Sequence, residues 1–273
     1  MNDHSGPRAV SPALLGMGVG DWLPVTAGES EASVFRHAGD PRYAKCVSAT
    51  GAAGLMAERD RIAWLSGQGV PGPRVLDWYS ADAGACLVTS AVPGVPADQV
   101  PAADLRAYWG RIADAVRGLH DVPVSQCPFR RGLDAMVAAA HDVVARDAVN
   151  PEFLPVEQQH TPPEELLLRL TQEIALRRDQ EAADTVVCHG DLCLPNIILD
   201  PQSLNVSGFI DLGRLGPADR YADLALLFAN ARETWTDDKQ ARAADMAFAE
   251  EYGITLDHDR LRFYLHLDPL TWG

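Results

Sequence analysis

The chain has 273 residues, 47 % of them hydrophobic and 22 % charged, which suits one large globular domain or two lobes with a sizeable core. No window approaches the roughly 18 apolar residues of a membrane span, and "MNDHSGPRAV" lacks the basic start and apolar centre of a secretory leader, so a cytoplasmic protein is expected. Net charge is -15, carried unevenly: residues 1–92 hold 7 Lys and Arg against 9 Asp and Glu, while residues 93–273 hold 16 against 29. Such a field disfavours nucleic acid and anionic membranes as partners and favours a cationic ligand. The five cysteines, Cys46, Cys86, Cys127, Cys188 and Cys193, are odd in number and scattered, which predicts reduced thiols rather than a disulfide framework.

Residues 1–20 are rich in Gly, Pro and Ala and are expected to be poorly ordered. Short β-like runs follow at "SVFRH", "YAKCV", "RVLDW" and "CLVTSAV", with the helical stretch "GLMAERDRIAWLSGQG" between the second and third. "PGVPADQVP" has the composition of a linker. Beyond it the pattern turns helical. "AADLRAYWGRIADAVRGLH" places Leu105, Trp109, Ile112, Val116 and Leu119 on one face, and "PEELLLRLTQEIALRR" predicts a second amphipathic helix. The strand "TVVC" and a hairpin of "NIILD" and "VSGFID" turning at "PQSLN" come next, then helix to the end. The expected fold class is α+β, with a β-rich lobe over residues 21–92 and a larger, mainly helical lobe over 93–273.

Two charges fall where apolar residues belong. Glu58 shares the helical stripe of Leu55, Ile62 and Leu65, and Lys45 alternates in step with Tyr43 and Val47. An unpaired buried charge costs several kcal/mol, so the two are expected to pair. A Lys–Glu pair across a small sheet is how a kinase holds a lysine against nucleotide phosphates.

In "HGDLCLPN", Asp191 and Asn196 have the D-x-x-x-x-N spacing of a kinase catalytic loop, in which the Asp orients the attacking hydroxyl and the Asn holds a magnesium ion. Fifteen residues later "FIDLG" supplies Asp211 at a strand end, where protein kinases have their metal-binding D-F-G. Each piece alone also makes ordinary turns. Their order on a β-then-α layout is what carries the signal. Cys188, His189 and Cys193 lack a second ligand pair at zinc-finger spacing, and there is no G-x-x-x-x-G-K-[ST] loop. His189 is read as a residue that braces the loop rather than a general base.

"VVCHGDLCLPN" followed by "FIDLGRLGPADRYADLAL" resembles the aminoglycoside phosphotransferases, which have a protein-kinase-like fold and use ATP and Mg²⁺ to phosphorylate antibiotic hydroxyls. "DWLPVTAGES", "ERDRIAWL", "GACLVTSAVPGVPA", "NPEFLP" and "FYLHLDPLTWG" are similar to the branch of that family that acts on the 3''-hydroxyl of streptomycin. The resemblance implies that Gly28 and Ser30 belong to a phosphate-binding loop, that Lys45 grips the α- and β-phosphates with Glu58 orienting it, and that backbone groups of Ser90 and Val92 read the adenine edge. It further implies Asp191 as catalytic base, Asn196 and Asp211 as metal ligands, and Asp223 as a brace for the catalytic loop. Asp268, in the C-terminal segment where related kinases contact drug, becomes the leading substrate-binding carboxylate, with Glu152, Glu157, Glu164 and Glu165 weaker candidates. Unlike relatives with an acidic and aromatic tail, this chain ends "DPLTWG". The enzyme is expected to be monomeric. A kinase of a kanamycin-type aminoglycoside and a non-catalytic nucleotide-binding pseudokinase are the alternatives.

Overall fold

A computed structural model describes residues 10–17, 21–25 and 32–273. Gly28 and Ser30 lie outside the described residues. The chain divides into two compact units, one reaching to Pro93 and taking back Gly208–Gly213, the other made of Gly94–Ser207 and Arg214–Gly273.

The first unit is built on five antiparallel strands: β1 (Trp22–Val25), β2 (Ser33–His37), β3 (Arg42–Ser48), β4 (Val75–Ala81) and β5 (Gly84–Ser90), in spatial order β1-β2-β3-β5-β4. Strand β1 was not legible in "WLPV", whose proline fits an edge position. Strand alternation sends Ala44 and Cys46 into an apolar cluster with Val10, Cys86 and Val88, and Lys45 to the opposite face. Residues 10–17, expected to be poorly ordered, instead hold a 3-10 turn over Pro12–Leu15, with Val10 buried and Leu15 and Met17 packed on that cluster. The expectation of reduced thiols is also corrected at one pair. Cys46 and Cys86 face each other in the β3–β5 register and are joined as a disulfide, whereas Cys127, Cys188 and Cys193 are not in disulfides. Register across a sheet is invisible to cysteine spacing along the chain. Helix α1 (Ala52–Ser66) buries Leu55, Glu58, Ile62 and Leu65, the stripe expected for it.

The second unit is mainly helical. Its helices are α2 (Ala102–His120), α3 (Leu133–Ala145), α4 (Pro163–Thr171), α5 (Ile174–Asp184), α6 (Arg220–Arg232), α7 (Asp238–Tyr252) and α8 (His258–Leu267). The expected stripe of α2 is buried, Leu105, Ile112, Val116 and Leu119 completely. Each such side chain stabilises the packed state by about 1.5–3 kcal/mol, enough to fix the helix against α7. The single helix expected over residues 163–178 is two. Thr171 Oγ1 donates back to Leu167 O, and Glu173 N–H bonds Leu170 O, a tightened turn that ends α4 and restarts the chain as α5.

Short strands frame the loop of interest. Strand β7 (Thr185–Cys188) pairs with β10 (Gly216–Asp219), and β8 (Ile197–Asp200) lies between β6 (Val95–Pro96) and β9 (Asn205–Phe209). The segment expected to be a linker therefore supplies a strand, and Ala97 just after it is fully buried. Strand β10, sequence GPAD, has no β propensity and exists through its pairing with β7.

Candidate active site

In the first unit, Lys45 Nζ donates to Glu58 Oε2 at 2.8 Å and to Asp211 Oδ1 at 2.9 Å. Burial works against the ammonium, but the Glu58 and Asp211 carboxylates outweigh it and raise the Lys45 pKa above the ordinary lysine value. Glu58 is 7 % exposed, and that burial pushes its carboxyl up, with the Lys45 ammonium offsetting part of the shift. Asp211 follows Phe209, whose N–H is tied to Pro71 O at 3.1 Å, and adopts a left-handed backbone at φ 58°. Aspartate tolerates that region better than most residues, and it turns the carboxylate toward Lys45. The Asp211 side chain is 43 % exposed, more than those of Lys45 at 21 % and Glu58 at 10 %.

Ser90 N–H donates to Arg74 O and Ser90 Oγ accepts from Arg74 N–H, both at 2.9 Å. Ala91 N–H is bonded to Pro41 O at 2.8 Å. Ser90 is the last residue of β5, and Val92 follows two residues on.

In the second unit, β7 delivers the chain to His189, Gly190 and Asp191. Asp223, fully buried on the first turn of α6, accepts from His189 N–H at 2.6 Å and from Gly190 N–H at 2.8 Å. Gly190 has φ 91°, and a Cβ there would lie 2.2 Å from Arg214 O, so only glycine fits. His189 Nδ1 accepts from Asp191 N–H at 3.2 Å, the bracing role expected of it. Leu194 N–H donates to Asn230 Oδ1 at 2.8 Å, a second tie from α6 to the loop.

Asn196 Nδ2 donates to Asp191 O at 2.9 Å and to Asp191 Oδ2 at 3.0 Å. Asp191 and Asn196 are thus brought together, and the amide, with its NH₂ end committed, offers its carbonyl oxygen as a hard donor. That oxygen and the Asp211 carboxylate are the donor types Mg²⁺ requires.

His120, at the end of α2, shares the Asp223 network: Nε2 lies 3.1 Å from Asp223 Oδ2 and Nδ1 2.7 Å from Tyr252 Oη. Burial works to raise the Asp223 pKa, but the His120 bond and charge, with His189 and the Gly190 N–H, hold it below the ordinary carboxylate value. His120, Cys188 and Asp223 are close enough to suggest a metal site. Burial keeps the Cys188 thiol protonated, and the other two are bonded to the protein, so the cluster is a hydrogen-bonded brace. Sequence reading missed His120 and Asn230. His120 adjoins the last stripe residue of α2 and carried the only signal.

Asp268, the leading substrate-binding candidate, is engaged by other side chains of the second unit. It is 5 % exposed, with Oδ1 3.3 Å from both Arg131 Nη2 and Arg214 Nη1, and Oδ2 accepting from Trp272 Nε1 at 2.9 Å. "DPLTWG" gave no sign that two distant arginines would claim this carboxylate. Glu152, Glu157 and Glu164 are exposed, and Glu165 pairs with Arg169 at 2.7 Å.

A model of the phosphotransferase enzyme family matches residues 21–264. Over all 273 residues, and the whole of the other protein, the chain is 76 % identical to a streptomycin 3''-kinase of Streptomyces griseus. It is 40 % identical to an aminoglycoside 3'-phosphotransferase of Streptomyces fradiae, over 91 % of this chain and 94 % of the other. Among solved structures, an aminoglycoside phosphotransferase of Streptomyces rimosus in complex with ADP and streptomycin superimposes with a TM-score of 0.88 at 64 % identity, covering 93 % of this chain and 95 % of the other. The kinase-like fold expected from the loop spacing is therefore the fold of this chain. With its family signature and its catalytic-loop geometry in agreement, the chain belongs to the phosphotransferase enzyme family, among the aminoglycoside phosphotransferases.

Proposed function

We propose that the chain transfers the γ-phosphoryl group of ATP to the 3''-hydroxyl of streptomycin, inactivating the drug. The observation that carries this reading is full-length identity of 76 % to a streptomycin 3''-kinase. It is supported by two polar sets that are already formed, Lys45–Glu58–Asp211 and Asp191–Asn196. The acidic excess of residues 93–273 suits a drug that bears two guanidinium groups.

In this reading residues 21–92 form the nucleotide-binding lobe and residues 93–273 the catalytic and drug-binding lobe. Ser30 and its neighbours would face the β-phosphate, and Ser90 O and Val92 N–H the adenine. Lys45, kept ionised by its two carboxylates, would neutralise the α- and β-phosphates. Asp191 would accept a hydrogen bond from the drug hydroxyl and align its oxygen with the γ-phosphorus. As the new O–P bond forms, the bond from the γ-phosphorus to the β,γ-bridging oxygen breaks, ADP leaves with that electron pair, and the hydroxyl proton passes to Asp191. Asn196 Oδ1 and Asp211 would hold Mg²⁺, which supplies charge neutralisation on the β- and γ-phosphates. The site lies in a protein of the cytoplasm, where ATP is abundant.

The test is ADP release by purified protein with ATP and Mg²⁺, comparing streptomycin, kanamycin and no acceptor. Release with streptomycin, abolished by a chelator and restored by added Mg²⁺, is expected. Release with kanamycin alone would keep the residues and overturn the acceptor. ATP binding without acceptor-stimulated release would favour the non-catalytic alternative.

A further inference from the structure

The aspartate that the sequence nominated for drug contact is built into the support of the catalytic loop. Asp268 Oδ1 stands 3.3 Å from the guanidinium groups of Arg131 and Arg214. Arg214 is fixed on two further sides, by a hydrogen bond to Thr271 Oγ1 and by the Trp272 ring, whose centroid lies 4.1 Å from its Cζ. Trp272 in turn donates to Asp268 Oδ2, and Thr271 to Asp268 O at 2.7 Å. The last six residues thus form a socket for one arginine side chain.

The backbone of that arginine is where the socket meets the reaction. Gly190 packs so closely on residue 214 that a Cβ on Gly190 would lie 2.2 Å from Arg214 O and 2.8 Å from Arg214 Cβ. Two residues on, Gly216 pairs with Cys188 in the β10–β7 register, and a Cβ on Gly216 would lie 3.1 Å from Arg131 Cβ. Arg131 therefore packs on residues 214–216, the segment that carries Arg214 and runs beside 188–190. Asp223 pulls His189 and Gly190 from one side through their N–H groups, and residue 214 presses on Gly190 from another.

We infer that Asp268 is a positioning residue for phosphoryl transfer: by clamping Arg131 and Arg214 it fixes residue 214 against Gly190 and so sets the placement of Asp191. Its burial and its three partners distinguish it from a carboxylate waiting for a cationic drug. A small displacement of Asp191 would misalign the acceptor hydroxyl, and transfer rates are steep in that alignment.

The inference rests on the kinase reading above, so wild-type turnover with streptomycin is measured first. Its absence would remove that reading, while amide hydrogen exchange would still test the clamp. Asp268→Asn is expected to lower kcat by roughly ten- to a hundredfold while KM for ATP and for streptomycin shifts by less than about threefold. Exchange at residues 188–192 should become faster in the same variant. Near-normal kcat with a raised KM for streptomycin would return Asp268 to drug contact and overturn the inference, as would unchanged exchange at 188–192. Should Asp268→Asn not fold, Trp272→Phe removes the indole donor and keeps the ring. Here kcat should fall severalfold at constant KM, by roughly three- to tenfold, and unchanged kcat would overturn the clamp.

Discussion

Lys45 and Glu58, thirteen residues apart, meet through a 2.8 Å bond from Nζ to Oε2 that joins β3 to α1. The bond matters because Lys45 also holds Asp211, so Glu58 shares with Asp211 the work of aiming one ammonium. Glu58→Gln keeps the shape and removes the charge. A hydrogen bond to a charged group is worth about 1.5–3 kcal/mol, which predicts a rise in KM for ATP of roughly 10- to 100-fold. Steady-state kinetics at saturating streptomycin check this, and an unchanged KM for ATP would remove the orienting role.

Asp191 is held by its own loop, its N–H on His189 Nδ1 and its Oδ2 against the Asn196 amide. Removing the carboxylate ends the Oδ2 contact but leaves the Asp191 N–H on His189 and the Asn196 amide on Asp191 O. Asp191→Ala should therefore lower kcat by roughly 10² to 10⁴ while ATP affinity, measured by calorimetry, stays within about threefold. Turnover near the wild-type value would refute its assignment as base.

Asp223 supports the loop through both carboxylate oxygens and is completely buried. In Asp223→Asn one oxygen becomes an NH₂ facing a backbone N–H, so at least one charged hydrogen bond is lost and a donor faces a donor. Loss of stability of at least about 1.5–3 kcal/mol is expected, read from the urea midpoint at constant slope. A midpoint unchanged from wild type would show that the brace is not needed.

Much of this arrangement was legible because it follows from short periodicities. The stripe of Leu55, Glu58, Ile62 and Leu65 and the alternation around Lys45 placed both charges inward before any fold was known, and the structure pairs them. The spacing of Asp191 and Asn196 likewise predicted a contact that exists. What stayed hidden depends on distant parts of the chain. Strand β10 is a strand only beside β7, Cys46 meets Cys86 only through sheet register, and Asp268 is claimed by arginines 137 and 54 residues away. Local pattern reports which face a side chain occupies. It does not report who waits there.

His266 gives the fold a dependence on acid whose sign can be worked out. Its Nδ1 lies 3.0 Å from Gln158 Nε2, and burial lowers its pKa below the ordinary value of 6.5, an effect that Arg262 reinforces and Glu157 and Glu173 oppose. The amide donates to a neutral ring nitrogen, and protonating that nitrogen would set donor against donor. A histidine whose folded pKa is depressed contributes stability above its unfolded pKa, and that contribution is lost as pH falls below 6.5 toward the folded value. Stability should therefore decline between about pH 7 and pH 5 more steeply in wild type than in His266→Gln, which keeps an acceptor near Gln158 and cannot take up the proton. The Gln variant should be less stable at neutral pH through imperfect packing, yet lose less on acidification. Urea midpoints collected across that range separate the two effects, and parallel curves for the two proteins would show that His266 contributes nothing to acid sensitivity.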